Sequence, residues 1–200
     1  YLGVAIAAEQ RRLHPDDERA RTALARGLDV ALADFPNQRT IDQWRLIASQ
    51  LALDENRFDD AERMLKQVPE ASARRMDAVY LRAVTAHRRA TVEPESRQRP
   101  LNEAALPIIE GAALLLGGAM ANTDDAALKG QLAGRVLMLH VLRAQTLLAL
   151  DRPQEALDVL EGMEKAAKSD PQIVAEALRV RIECHQAMGQ PEQAIDEIER

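Results

Sequence analysis

Apolar residues recur along this chain at steps of three and four, the spacing that lines one face of an α-helix. Leu24, Leu28 and Leu32 form one stripe, and Trp44, Ile47, Ala48 and Leu51 another. Leu139, Leu142, Thr146, Leu147 and Leu150 make a third, and Leu178, Ile182 and Met188 a fourth. Between the stripes the chain punctuates itself at His14-Pro15-Asp16-Asp17, Phe35-Pro36-Asn37, Asp54-Glu55-Asn56, Val68-Pro69-Glu70, Asp151-Arg152-Pro153, Ser169-Asp170-Pro171 and Gly189-Gln190-Pro191. Proline is tolerated in the first turn of a helix, where its missing N–H has no partner anyway, and Asp or Ser just before it can cap the exposed N–H groups. The pattern predicts ten helices, over 1–13, 16–34, 39–54, 57–67, 70–90, 100–120, 125–151, 153–168, 171–188 and 191–200. No stretch alternates apolar and polar residues long enough to make a convincing strand. Short connections make neighbouring helices antiparallel, so the expected class is all-α, in about five antiparallel pairs. The segment 91–100, TVEPESRQRP, has two prolines and no apolar anchor beyond Val92, and is expected to be a polar loop.

Composition sharpens this picture. Hydrophobic residues make up 46% of the chain but aromatics only 2%, and the apolar share is filled largely by 35 alanines. Alanine has the best intrinsic helix propensity, and its small side chain lets helices approach closely, whereas a β protein draws on Val, Ile, Tyr and Phe. The formal net charge of −6 supplies no global field attracting nucleic acid. A single cysteine, Cys184, cannot form an internal disulfide. The excess of arginine over lysine, with the alanine content, fits a bacterial genome rich in G and C. Tyr1 at the start and a helical pattern running into Arg200 are expected of one domain, 1–200, taken from a longer protein. The most apolar stretch, Ala104 to Met120, is only about 17 residues and carries Pro107 and Glu110, so it is expected to be a buried helix, not a membrane span.

Three segments repeat a common layout. VLRAQTLLALDRPQEALDVLEGM (141–163), ALRVRIECHQAMGQPEQAIDEIER (177–200) and, more weakly, WRLIASQLALDENRFDDAERML (44–65) each resemble a tetratricopeptide repeat. In that family a small residue ends the first helix, an aromatic residue or proline follows two residues later, and an alanine sits in the second helix where the pair crosses most closely. Those positions read Gly189, Pro191 and Ala194; Asp151, Pro153 and Ala156; and Asn56, Phe58 and Ala61. Ala144 matches the family's small residue in the first helix, while Ile182 and Ser49 stand at its equivalents. The step from Ala156 to Ala194 is 38 residues, against about 34 in the family. The pair over 70–120 matches only in outline. The resemblance implies a right-handed α-solenoid whose first helices line a concave groove. Carrying over the repeat phase places Gln43, Gln50, Arg82, Thr85, Gln145, Arg179 and Glu183 on that groove, with Leu142 and Leu148 nearby; the residues by which some members clamp a terminal carboxylate have no counterparts here.

Candidate chemistry is sparse. His87, His140 and His185 fall where such repeats bury apolar side chains, and no two share a helix at i, i+4, so they are expected in the core and not on a metal. His14-Pro15-Asp16-Asp17 is accounted for as a turn with acidic residues at a helix start. Cys184 has no general base, since the side chain of His185 points about 100° away on a helix. Gly117-Gly118 belongs to no phosphate-binding loop. An arginine bias does stand out: Arg74, Arg75, Arg82, Arg88, Arg89, Arg97 and Arg99 lie within 71–100, and Arg82, Thr85 and Arg89 share a helical face. Forked guanidinium groups suit carboxylates, so Arg89 joins the groove set and a partner with acidic groups is expected. The sequence therefore predicts a protein–protein interaction scaffold without cofactor, metal, enzymatic activity or nucleic-acid binding. Stacking into a homo-oligomer through the solenoid ends is the alternative, and the cytoplasm is preferred over the periplasm.

Overall fold

The computed structural model describes residues 17–163 and 170–199, and every regular element within them is helical. Among the described residues nine helices follow in order: α1 (Glu18–Asp34), α2 (Ile41–Asp54), α3 (Phe58–Lys66), α4 (Arg75–Val92), α5 (Glu95–Ala121), α6 (Ala126–Ala149), α7 (Pro153–Leu160), α8 (Pro171–Ala187) and α9 (Pro191–Glu199). The helix expected over 1–13, and with it His14, lies outside the described residues. The chain divides into two compact units at Leu81 and Arg82, a point inside α4, where one domain over 1–200 was expected.

In the first unit α1 packs on α2 and α2 on α3. The apolar stripes meet as the periodicity requires: Leu24, Leu28 and Ala31 from α1 against Ile41, Trp44, Ala48 and Leu51 from α2. Leu65 of α3, Val68 after it and Ala78 of α4 form a second cluster, edged by Leu46 and Leu81. In the second unit α5 packs on α6, α6 on α7, α7 on α8 and α8 on α9, and α6 also reaches α8. Its core gathers Val141, Ala144 and Leu147 of α6, Ala156 and Leu160 of α7, and Ile173, Ala177, Val180 and Cys184 of α8. Ala61, Ala144 and Ala156 are completely buried and Ala194 nearly so. At such positions a longer side chain forces neighbours out of their rotamers.

Helix starts and stops have identifiable causes. The Asp17 carboxylate accepts from the N–H groups of Arg19 and Ala20, Asp125 from Ala127 and Leu128, and Asp170 from Gln172 and Ile173. The ends of α2, α6 and α8 share one geometry. Asn56, Asp151 and Gly189 adopt φ values of 56°, 61° and 70°. In each case that residue's N–H bonds to the carbonyl three back, and the next N–H bonds to the carbonyl five back: Arg57 to Ala52 at 2.7 Å, Arg152 to Leu147 at 3.0 Å and Gln190 to His185 at 2.9 Å. This is the left-handed C-terminal closure that satisfies the last carbonyls of a helix and turns the chain sharply into the next one.

Three expectations are corrected. The loop over 91–100 contracts to Glu93 and Pro94, because α5 begins at Glu95 and takes Pro100 into its interior. Pro94 supplies the extended entry at φ −54° and ψ 146°, and the Gln98 amide donates back to the Glu93 carbonyl, so the helix is set up a turn and a half before Pro100. The helix expected over 153–168 ends at Leu160, where Glu161 turns extended and Gly162 takes a φ of 75°. The apolar stretch 104–120 is not buried all round: Ala105, Ile109, Ala112 and Leu116 face inward, while Leu114 and Leu115 are exposed. Helix α5 packs chiefly on α6, which covers one stripe of it, so apolar composition overstated its burial.

The positive-φ closures carry a stability prediction. Nothing lies within 4 Å of a Cβ built on Gly189, so Gly189→Ala tests backbone conformation alone and lowers stability by about 1 kcal/mol. Asp151→Gly gives up only an exposed ion pair to Arg99 and raises stability by roughly 0.5 kcal/mol. Urea denaturation followed by circular dichroism measures both, and opposite signs are expected.

Candidate functional site

Within the second unit, α4, α5, α6 and α8 contribute side chains to a single cavity of about 390 Å³. His87 and Thr91 come from successive turns of α4, Asn102 from α5, Gln145, Leu148 and Ala149 from α6, and Arg179 and Glu183 from successive turns of α8.

The most constrained member is His87, which is 8% exposed. Its Nδ1 lies 3.2 Å from the hydroxyl of Thr146, and that hydroxyl donates its one proton to the Leu142 carbonyl at 2.8 Å. The hydroxyl must therefore accept from the ring, which places the imidazole proton on Nδ1. Burial pushes the pKa of His87 down to about 4, only partly offset by a hydrogen bond with Gln145, so the ring is neutral at physiological pH. Asn102 is 2% exposed, and its Nδ2 donates to the Gln98 carbonyl at 3.0 Å. That bond fixes the amide orientation and leaves Oδ1 buried without a hydrogen-bond partner. A buried acceptor without a donor costs on the order of 1–3 kcal/mol. On α8, Arg179 is clasped from both sides, its Nε and Nη2 on Glu176 at 3.2 and 3.0 Å and its Nη1 on Glu183 at 2.5 Å. The hydrogen bonding to Glu176 is the main cause of its raised pKa.

Of the groove residues expected from the sequence, the structure brings Gln145, Arg179 and Glu183 together, with Leu148 beside them. Thr85 is 4% exposed and is corrected from groove surface to packed interior, on the face of α4 that also buries Ala78. Arg82 and Arg89 are half-buried and do not line the cavity. Gln43 and Gln50 are exposed on α2 in the first unit, where Gln50 donates to Asp54. The arginine-rich stretch is largely engaged within the chain: Arg74 meets Asp77, Arg75 meets Glu70, Arg97 meets Glu93, and Arg99 meets Glu103 and Asp151. Asn102 escaped the sequence reading, although one signal was available. It continues the inward stripe of Ala105, Ile109, Ala112 and Leu116, so a polar side chain occupies an apolar phase.

The other candidate groups resolve differently. Cys184 is fully buried, and burial drives its thiol up to about 11, so it carries no thiolate at neutral pH. His140 has its pKa lowered by burial and, secondarily, by Arg143. His185 is held by Gln190 at 3.0 Å and lies 3.7 Å from Glu197, which is itself paired with Arg181. Among the described residues no three His, Cys, Asp or Glu side chains converge to hold a metal ion. By length and composition alone, α5 and α6 are both apolar enough to cross a membrane, with mean hydropathy of 1.7 and 1.2 over their best windows. No protein-family model matches the chain, and no curated protein is found similar to it.

The neutral His87 makes the second unit sensitive to acid. Its folded pKa lies below the unfolded value of about 6.5, so the unfolded chain takes up this proton first and stability falls as the pH drops from 6.5 towards 4. The expected loss is on the order of 3 kcal/mol. Urea midpoints measured at pH 7 and pH 4.5 show it as a difference between the wild-type chain and His87→Leu, which keeps the carboxylate contribution but lacks this one.

Proposed function

We propose that this chain is a helical-repeat scaffold that holds a protein or peptide partner, each unit being built from antiparallel helix pairs of the tetratricopeptide kind with that family's right-handed sense. Several features support the repeat reading. The three turns matched in the sequence, at Asn56, Asp151 and Gly189, share one closure, and the matched alanines, Ala61, Ala156 and Ala194, are all buried. Helix α6 touches both α7 and α8, and α7 touches α8, the neighbour pattern of one pair stacked on the next.

The observation that carries the binding role is the cavity of the second unit, where three groove residues expected from the repeat phase come together with His87, Thr91 and Asn102. Concave sites with a few convergent polar groups on an apolar wall are where ligands bind. The chemistry is recognition and not turnover.

A second reading, self-assembly, is favoured by Ile195 and Ile198 of α9, which are 55% and 67% exposed. Two large apolar side chains one turn apart make a face on which a second copy can stack.

Crosslinking capture from cells expressing the chain, read by mass spectrometry, separates the two. Leu148→Trp fills the cavity, and Ile195→Glu with Ile198→Glu spoils the α9 face, with circular dichroism confirming helicity in both. Loss of a partner only in Leu148→Trp supports the groove scaffold. Recovery of the chain alone, abolished by the α9 changes, moves the function to self-assembly.

A further inference from the structure

We propose that the outward face of α5 is a two-fold self-association surface, on which the same helix of a second copy of this chain lies antiparallel. The inference is independent of what the cavity holds.

Opposite its buried stripe, α5 presents Ala104, Pro107, Gly111, Leu114, Gly118 and Ala121, all exposed. Leu114 is 78% exposed and Leu115 beside it 51%. The steps along this stripe alternate three and four, the a/d repeat by which one helix seats against another. From Ala104 to Ala121 the single charged residue is Glu110, and it is paired with Arg143 of α6 at 2.8 Å. The glycines show what kind of surface this is. Each weakens the helix relative to alanine, yet a Cβ built on Gly111 or Gly118 meets nothing within 4 Å, and neither residue has a positive φ. Nothing inside the chain therefore calls for glycine at these places. An outward glycine offers a lipid surface no side chain to bury, but it lets a second helix come close.

The stripe complements itself when reversed. An antiparallel pair centred between Gly111 and Leu114 sets Gly111 against Leu114 of the other copy, Pro107 against Gly118, and Ala104 against Ala121. The one large side chain of the stripe then meets the hollow at a glycine, and every layer joins an a position to a d position. Charge selects the same direction. In the seven residues before Ala104, Arg97, Arg99 and Glu103 leave a balance of +1; in the seven after Ala121, Asp124 and Asp125 give −2. Antiparallel pairing brings these unlike ends together, whereas parallel pairing stacks the two acidic ends. Arg97 and Arg99 now meet Glu93 and Glu103 at 3.7 and 3.4 Å on the surface, contacts that such exposed pairs give up readily. The stripe is about 27 Å long and about 10 Å wide, roughly 270 Å² per copy, against about 800 Å² per partner in a stable interface. The pair is thus a closed but exchanging dimer, distinct from stacking through α9.

Sedimentation velocity of the full chain, from about 1 µM to 1 mM, is expected to show a monomer–dimer equilibrium with a Kd of about 10–100 µM. Leu114→Glu, at a site open to solvent, weakens it at least about tenfold with helicity unchanged by circular dichroism, because the paired stripes bury the charge. Ile195→Glu with Ile198→Glu leaves it intact. Direction is read by mixing tagged Ala104→Cys with untagged Ala121→Cys chains under mild oxidation, the native Cys184 being buried. The mixed disulfide is expected to dominate, since like positions lie about 25 Å apart in the antiparallel pair. A chain that stays monomeric to about 1 mM overturns the proposal, as does association indifferent to Leu114→Glu or a dominant disulfide between two Ala104→Cys chains. Association lost instead with the α9 changes assigns it to end stacking and overturns the proposal equally. Flotation with vesicles of equimolar phosphatidylcholine and phosphatidylglycerol, abolished by Leu114→Glu in a chain that does not self-associate, gives the face to lipid.

Discussion

Two helices of a pair can lie in contact along their length only if the chain reverses within two or three residues and nothing bulky stands where the axes come closest. Both conditions are met by small residues. The turn after α2, α6 and α8 uses a left-handed residue, whose N–H and that of the next residue gather otherwise unsatisfied carbonyls of the helix end. The close approach is served by alanine, and Ala61, Ala144 and Ala156 are completely buried. Leu147, Leu160 and Val180 then fill what the alanines leave open. The hydrophobic core of the second unit is thus a consequence of turn geometry as much as of apolar content.

Polar burial in the same unit has a different logic. A chain with this many alanines could seal its interior with methyl groups, yet His87, Asn102 and Thr146 are buried in it. His87 and Thr146 satisfy one another through a defined direction of proton donation, ending on a helix carbonyl. Asn102 is satisfied on one side only. The contrast between a closed polar pair and a half-closed amide sets the cavity apart from ordinary core packing, where buried polar groups are normally paired.

Much of the fold was legible in the sequence because its signals are local. The capping carboxylates Asp17, Asp125 and Asp170, the stripe Leu24–Leu28 and the turns at Asn56, Asp151 and Gly189 depend on residues within a few positions of one another. The misread segments are those where local cues competed. Pro100 reads as a helix start, but Pro94 and Gln98 had already set one, and proline can sit inside a helix at the cost of one backbone hydrogen bond. The apolar run of α5 reads as core, but burial depends on which faces have neighbours, a property of the assembly of helices and not of the run. The candidate site was legible only in part for the same reason. Gln145, Arg179 and Glu183 were expected from the resemblance in sequence, whereas Thr91 and Asn102 join them from α4 and α5, where that resemblance holds only in outline. The division of the chain within α4 has no signal in composition at all.

Cys184 has a consequence of another kind. Its thiol is fully enclosed by the α6–α7–α8 core and is held protonated far above neutral pH. Alkylating reagents and peroxide act on the thiolate at an accessible sulfur, so both conditions for attack are absent while α8 is seated. The sulfur is therefore a built-in clock for breathing of this unit. Its labelling rate under native conditions counts the moments at which α8 lifts away, in a chain with no second thiol to confuse the signal.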